Sequence, residues 1–267
     1  MSTRGYRLAV AFVVAVAVLV VVVPGARAQG RCSLATIKGT YGVVEQGTVL
    51  VDIGMGVPAP FPSANLAVVT YDGAGNLSAT YKASYGGLIL SGSVQGTYTV
   101  DPDCTYSDSV PAAQLARKGT IVGEGMLQEI RTIFTVPWIV GGGTRWKTPV
   151  GECSEARIKG AYSLFGQGAL NPPSGALPGR QVGLITYNGR GNFYGSETVN
   201  LAGAIEHNTF TGTYTVGSNC SVSAEISSSS GLRLRAAGVI VGEGVRQAVH
   251  IIVAEPGWIF VAAIDRQ

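Results

Sequence analysis

Charge is scarce in this chain: Asp, Glu, Lys and Arg make up 13% of its 267 residues, about half the usual share for a soluble protein. The basic residues form no cluster. That argues against a nucleic-acid binder, which needs grouped cations to displace counterions from phosphate. Histidine is nearly missing, with only His207 and His250, and no Cys-x-x-Cys spacing occurs. A zinc site is therefore not expected, and nothing in the sequence implies a cofactor. There is no Gly-x-Ser-x-Gly elbow. The glycine clusters Gly73-Ala-Gly75 and Gly123-Glu-Gly125 lack the strand-to-helix setting of a phosphate loop. Convincing amphipathic helices are lacking too.

What is present is apolar and glycine-rich. Hydrophobic residues make up 46% and glycines number 38. Disorder is excluded, because there is ample material to bury. Helical bundles are disfavoured by the abundance of Gly, Thr, Val and Tyr. The formal charge of +3 owes everything to Arg4, Arg7 and Arg27, without which 16 basic residues face 16 acidic ones.

Those three arginines lie in residues 1–28, which read as a secretory signal peptide. Arg4 and Arg7 form a basic start, Leu8–Val23 is an uncharged run of 16 residues, and Ala26-Arg27-Ala28 offers small residues where a signal peptidase reads. The run is shorter than the ~20 residues that cross a bilayer. No stable membrane span is expected after cleavage, and the expected location is secreted or periplasmic.

The chain then repeats itself. Cys32-Ser-Leu-Ala-Thr-Ile-Lys-Gly-Thr-Tyr41 recurs as Cys153-Ser-Glu-Ala-Arg-Ile-Lys-Gly-Ala-Tyr162, offset by 121. Thr70-Tyr-Asp-Gly-Ala-Gly-Asn76 recurs at Thr186–Asn192, and Gly96-Thr-Tyr-Thr-Val100 at Gly212–Val216, both offset by 116. Ile121-Val-Gly-Glu-Gly-Met-Leu-Gln128 recurs at Ile240–Gln247, offset by 119. The loss of five residues falls where the Pro-rich stretches 57–62 and 171–173 stand. Two units of domain size follow: 29–140 and 152–267, joined by a Gly- and Pro-containing linker at 141–151. Each unit holds two cysteines, so symmetry favours Cys32–Cys104 and Cys153–Cys220 over pairing between units.

Within each unit the pattern is β. Leu77, Ala79, Tyr81, Ala83 and Tyr85 alternate with Ser78, Thr80, Lys82 and Ser84, the period of a half-buried strand. Asp72-Gly73 and Asn188-Gly189 are hairpin turn signals, and Gly123-Glu-Gly125 and Gly242-Glu-Gly244 mark a second turn. Seven to nine short strands per unit predict two tandem antiparallel β-barrels of about eight strands, since closure removes exposed edges. A pair of β-sandwiches is the alternative.

The early Cys, the Lys-Gly-x-Tyr and Tyr-[Asp/Asn]-Gly-x-Gly-Asn motifs, and Gly-Thr-Tyr-Thr-Val followed by a Cys resemble uncharacterised secreted bacterial β-barrel proteins. These are similar in outline to allene-oxide-cyclase-like and lipocalin-like (calycin-like) barrels. The resemblance spans both units and implies fold; no catalytic motif of allene oxide cyclase is present to carry over.

Candidate binding residues are Glu124 with Gln128 and their counterparts Glu243 with Gln247. Gln128 shares a strand face with Ile130, Thr132 and Phe134, so if buried it needs a hydrogen-bond partner. Glu124 and Glu243 would then be ligand anchors or general bases; otherwise each Glu sits on an exposed turn and each Gln bonds backbone. The tyrosines Tyr41, Tyr71 and Tyr98, with Tyr162, Tyr187 and Tyr214, either line a pocket or pack across strands; Tyr98 and Tyr214 are the pair taken as ligand-binding. Trp138 and Trp258, each close after a Pro, read as plugs or closing-strand anchors. Three functions follow in order of expectation: a non-enzymatic secreted protein holding a small apolar ligand, a cyclase- or isomerase-like enzyme using Glu124 or Glu243, and a structural envelope protein with filled barrels.

Overall fold

The computed structural model describes residues 32–51, 59–170 and 175–267. The signal-peptide assignment to residues 1–28 lies outside the described residues, as do part of the Pro-rich stretch 57–62 and all of 171–173. Among the described residues no helix is long and apolar enough to cross a membrane.

Two closed barrels stand in tandem, each an antiparallel up-and-down meander of eight strands. The first comprises β1 (Gly39–Val51), β2 (Ala59–Tyr71), β3 (Asn76–Tyr85), β4 (Leu88–Val100), β5 (Thr105–Val110), β6 (Leu115–Val122), β7 (Glu129–Phe134) and β8 (Ile139–Lys147). The second comprises β9 (Lys159–Leu170), β10 (Leu177–Asn188), β11 (Asn192–Leu201), β12 (Ala204–Val216), β13 (Ser221–Ser228), β14 (Arg233–Val241), β15 (Ala248–Val253) and β16 (Trp258–Arg266). β8 closes on β1 and β16 closes on β9.

The expected turns form. Asp72 Oδ1 accepts from the backbone N–H groups of Ala74 (2.7 Å) and Asn76 (3.0 Å), and Asn188 Oδ1 does the same for Arg190 and Asn192. These side chains stand in for the missing backbone partners of the turn. Glycines at positions 73 and 75 supply the positive φ of +81° and +103° that the turn requires.

At this end each barrel is closed by a short 3-10 turn, Leu34–Ile37 in the first and Glu155–Arg157 in the second. Ile37 and Ile158 beside them are fully buried. The disulfides Cys32–Cys104 and Cys153–Cys220 tie each plug to the hairpin after β4 or β12. No bridge joins the two units, and both bridges suit an oxidising environment.

The linker expected at 141–151 is mostly strand instead. β8 runs to Lys147, so the first barrel extends past residue 140. The glycines that look like a break are there because neighbouring backbones come close. A Cβ on Gly142 would lie 2.1 Å from the Thr132 carbonyl oxygen, and one on Gly143 would lie 2.0 Å from that of Val44. Glycine here permits strand approach at a barrel corner.

The barrels share a largely apolar interface. Val44, Leu66 and Val68 point outward from β1 and β2 and pack on Val239, Val241 and Ile252 of β14 and β15. A Cβ on Gly42 would fall 2.6 Å from the methyls of Val239 and Val241, so glycine lets the barrels close. Trp146 stacks on His250 with ring centroids 4.2 Å apart. Gln167 Nε2 donates to Gln46 Oε1 at 2.8 Å, and Ser84 Oγ donates to the Trp258 carbonyl at 2.8 Å.

Burial lowers the His250 pKa from 6.5 to about 4. The unfolded chain therefore takes up this proton first as pH falls. The contribution is fully present above pH 6.5 and is lost on the way to about 4, amounting to at most about 3 kcal/mol. Urea unfolding across this window should show that loss, and His250→Phe, which keeps the stack without the titration, should flatten it.

Candidate functional site

Inward side chains alternate with outward ones along every strand, so one register decides what fills each barrel. In the first barrel Glu45 on β1, Asp108 on β5, Arg117 on β6 and Arg145 on β8 all point inward, and all are buried. Arg117 approaches Glu45 with Nε 2.6 Å from Oε1, and its Nη2 donates to Oε2 at 3.0 Å. Its Nη1 donates to Asp108 Oδ1 at 3.1 Å. Arg145 Nη2 lies 2.9 Å from Asp108 Oδ2 and 3.4 Å from Glu45 Oε1, while its Nη1 donates to Thr132 Oγ1 at 2.6 Å. Asn65 Nδ2 donates to Glu45 Oε2 at 2.9 Å, and the Tyr106 hydroxyl donates to Asp108 Oδ2 at 2.6 Å.

Two carboxylates and two guanidiniums thus form a closed, electrically neutral quartet. Burial by itself would raise the Glu45 pKa, but Arg117 and Arg145 outweigh it and hold this carboxyl below its ordinary value. Such groups are tolerated inside a protein only when paired and hydrogen-bonded together.

Beneath the quartet lies an aromatic floor. Tyr71 meets Tyr41, Tyr98 and Tyr106 edge-on, with centroids 5.4, 4.9 and 6.1 Å away. Above it lies a cavity of about 310 Å³. Its polar boundary includes the quartet, and its walls carry Val43, Val69, Leu77, Ala79 and Val94. Tyr81 and Tyr85 stand on one wall, and Leu90, Leu115 and Trp138 lie toward the end opposite the plug.

The second barrel keeps three of the four floor tyrosines, with Val222 in place of Tyr106, and loses the rest. Tyr187 meets Tyr162 and Tyr214 edge-on at 5.4 and 5.1 Å, as Tyr71 meets Tyr41 and Tyr98 in the first barrel. The strand registers pair Gly166 with Gln181 where the first barrel pairs Glu45 with Asn65, and Ala224 with Ala236 where it pairs Asp108 with Arg117. Ile264 opposite Leu164 replaces Arg145 opposite Val43. Phe193, Phe210 and Phe260, all buried, stand where the first barrel has Leu77, Val94 and Gly141. The Phe210 ring lies so close to Gly195 that a Cβ there would be 2.5 Å from it.

The residues singled out from sequence lie elsewhere. Glu124 is exposed at the turn between β6 and β7. Glu243 sits on the matching turn and accepts from the backbone N–H of Val150 at 2.9 Å, so it braces the connection between the barrels. Gln128 is buried, and its Oε1 accepts from the Tyr41 hydroxyl at 2.5 Å. Gln247 accepts from the Tyr162 hydroxyl at 3.3 Å and donates to the Arg157 carbonyl at 2.9 Å. The Tyr98 hydroxyl donates to the Leu34 carbonyl at 3.1 Å, and that of Tyr214 lies 2.9 Å from the Ile158 carbonyl. All four buried residues fasten the floor and its plug, and none of the six is among the residues that line the cavity. Of the predicted inward residues, Leu77, Ala79, Tyr81 and Tyr85 do line it, as does Trp138.

Sequence reasoning missed the quartet. The signal lay in comparing the repeats: Glu45 is in phase with inward Tyr41, yet its counterpart is Gly166. No protein-family model matches the chain, and no curated protein matches it.

Removing one member leaves buried charge unpaired. Arg145→Met should cost about 3–5 kcal/mol in urea unfolding. Combined with Asp108→Asn it should cost less than the sum of the two single changes, by about 1–3 kcal/mol, because the pair interacts directly.

Proposed function

We propose that this chain is a secreted or periplasmic binding protein whose first barrel takes up one small, mainly apolar molecule, while the second serves as its filled support. The cavity of about 310 Å³ in the first barrel carries this reading. Its size falls at the lower end of ligand pockets, and it combines apolar walls with a few convergent polar groups. Eight-stranded meanders have room for either packed side chains or one small ligand, and the two copies take opposite options. The outline shared with lipocalin-like barrels supports the same reading, as does the pair of disulfides.

An enzymatic reading has less support. Its intended bases, Glu124 and Glu243, lie on turns outside the cavity. Glu45 is held ionised by two guanidiniums with its oxygens already engaged, which suits a fixed polar boundary better than proton transfer.

Converting the first interior toward the second tests the proposal. Ala79→Gly with Val94→Phe reproduces the Gly195–Phe210 pairing and places a phenyl ring inside the cavity. The variant should keep its β circular dichroism and unfold within about 1.5 kcal/mol of the parent. Calorimetric titration with a ten-carbon methyl ketone should give binding to the parent and at least tenfold weaker binding to the variant, whose phenyl ring takes part of the space. Equal binding to both would place the ligand elsewhere.

A further inference from the structure

The chemistry of the cavity wall narrows the ligand class, an inference that rests on the reading of the first barrel as a binding cavity. We infer that the ligand is electrically neutral and carries an oxygen acceptor, such as a carbonyl, that receives a hydrogen bond from Tyr85.

Charge is decided by the quartet. Glu45 and Asp108 contribute two negative charges, Arg117 and Arg145 two positive ones, and each guanidinium already faces both carboxylates. Among the described residues, both arginines that line the cavity are already paired with carboxylates, and only their Nε atoms lack a hydrogen-bond partner. An anionic ligand would enter a low-dielectric space beside an ionised Glu45 and compete for arginines already spoken for, and an unpaired charge in such a place is costly. A cationic ligand meets the converse problem, because both carboxylates are engaged.

The polar contact is decided by the tyrosines. Most buried tyrosines of this barrel are satisfied within the protein: Tyr41 by Gln128, Tyr71 and Tyr106 by each other, and Tyr98 by the Leu34 carbonyl. The hydroxyls of Tyr81 and Tyr85 make no hydrogen bond among the described residues, and both side chains line the cavity. Burial and then the nearby Glu45 charge raise the Tyr85 pKa, so this phenol stays protonated and remains a donor. An apolar molecule with one neutral acceptor satisfies that donor while leaving the rest of its surface against Val69, Ala79, Leu90 and Val94. The second barrel has Glu197 and Leu201 at the places of Tyr81 and Tyr85, by the pairing of β10 with β11 and β2 with β3, so the donor pair belongs to the hollow copy alone.

The test compares 2-decanone with decanoate by calorimetric titration of the full chain at pH 7.5, on the parent and on Tyr85→Phe. The expected result is that 2-decanone binds at least ten times more tightly than decanoate, and that Tyr85→Phe weakens the ketone about tenfold, one charge-free hydrogen bond being worth roughly that factor. Decanoate binding as tightly as the ketone would overturn the neutrality inference while leaving the binding function intact. An unchanged ketone affinity in Tyr85→Phe would overturn the assignment of the donor. If neither compound binds the parent, both this inference and the binding reading fail.

Discussion

A sheet of eight strands closed on itself fixes the space inside it before any side chain is placed. Strand number and stagger set the radius, which admits either interlocked side chains or one small molecule. Everything that distinguishes the two halves of this chain follows from how the same interior is occupied. Both copies retain three floor tyrosines, the plug and the disulfide. Above the floor, Leu77, Val94 and Gly141 leave room in one, while Phe193, Phe210 and Phe260 take it in the other.

The polar content follows the same division. Four ionised groups from four strands meet inside the first barrel, and each depends on the others to remain tolerable there. Where the second copy is filled, the matching places hold Gly166, Ala224, Ala236 and Ile264, which need no partners. A common backbone thus supports an interior without the ionic quartet and one with a neutral ionic boundary. The first suits a permanent core. The second offers polarity at fixed positions without presenting free charge.

Much of the architecture was legible in the chain itself. The duplicated motifs marked two units, and the cysteine positions in each copy implied the observed pairing. The alternation from Leu77 to Tyr85 identified an inward face that does line the cavity. Asp72-Gly73 and Asn188-Gly189 announced their hairpins because few other residues satisfy that backbone. Three features were hidden for physical reasons. Gly141 to Gly143 read as a break, yet they are required where strands approach within a Cβ of one another. The outward row Val44, Leu66 and Val68 gave no hint of its partner, since an interface between copies depends on their relative placement. A single Glu or Arg in a strand reads as solvent-facing, and only the phase relative to the tyrosines, compared between repeats, reveals Glu45, Arg117 and Arg145 as interior. Gln128 and Gln247 are buried, and their partners are tyrosine hydroxyls at the floor together with, for Gln247, the Arg157 carbonyl.

The central claim is that one copy is hollow and the other is full, and xenon reports on this directly because it enters dry apolar cavities without needing a polar partner. Crystals pressurised with xenon should show a bound atom in the first barrel between Leu90 and Val94, and none between Phe193 and Phe210. Xenon in both barrels, or in the second alone, would contradict the account.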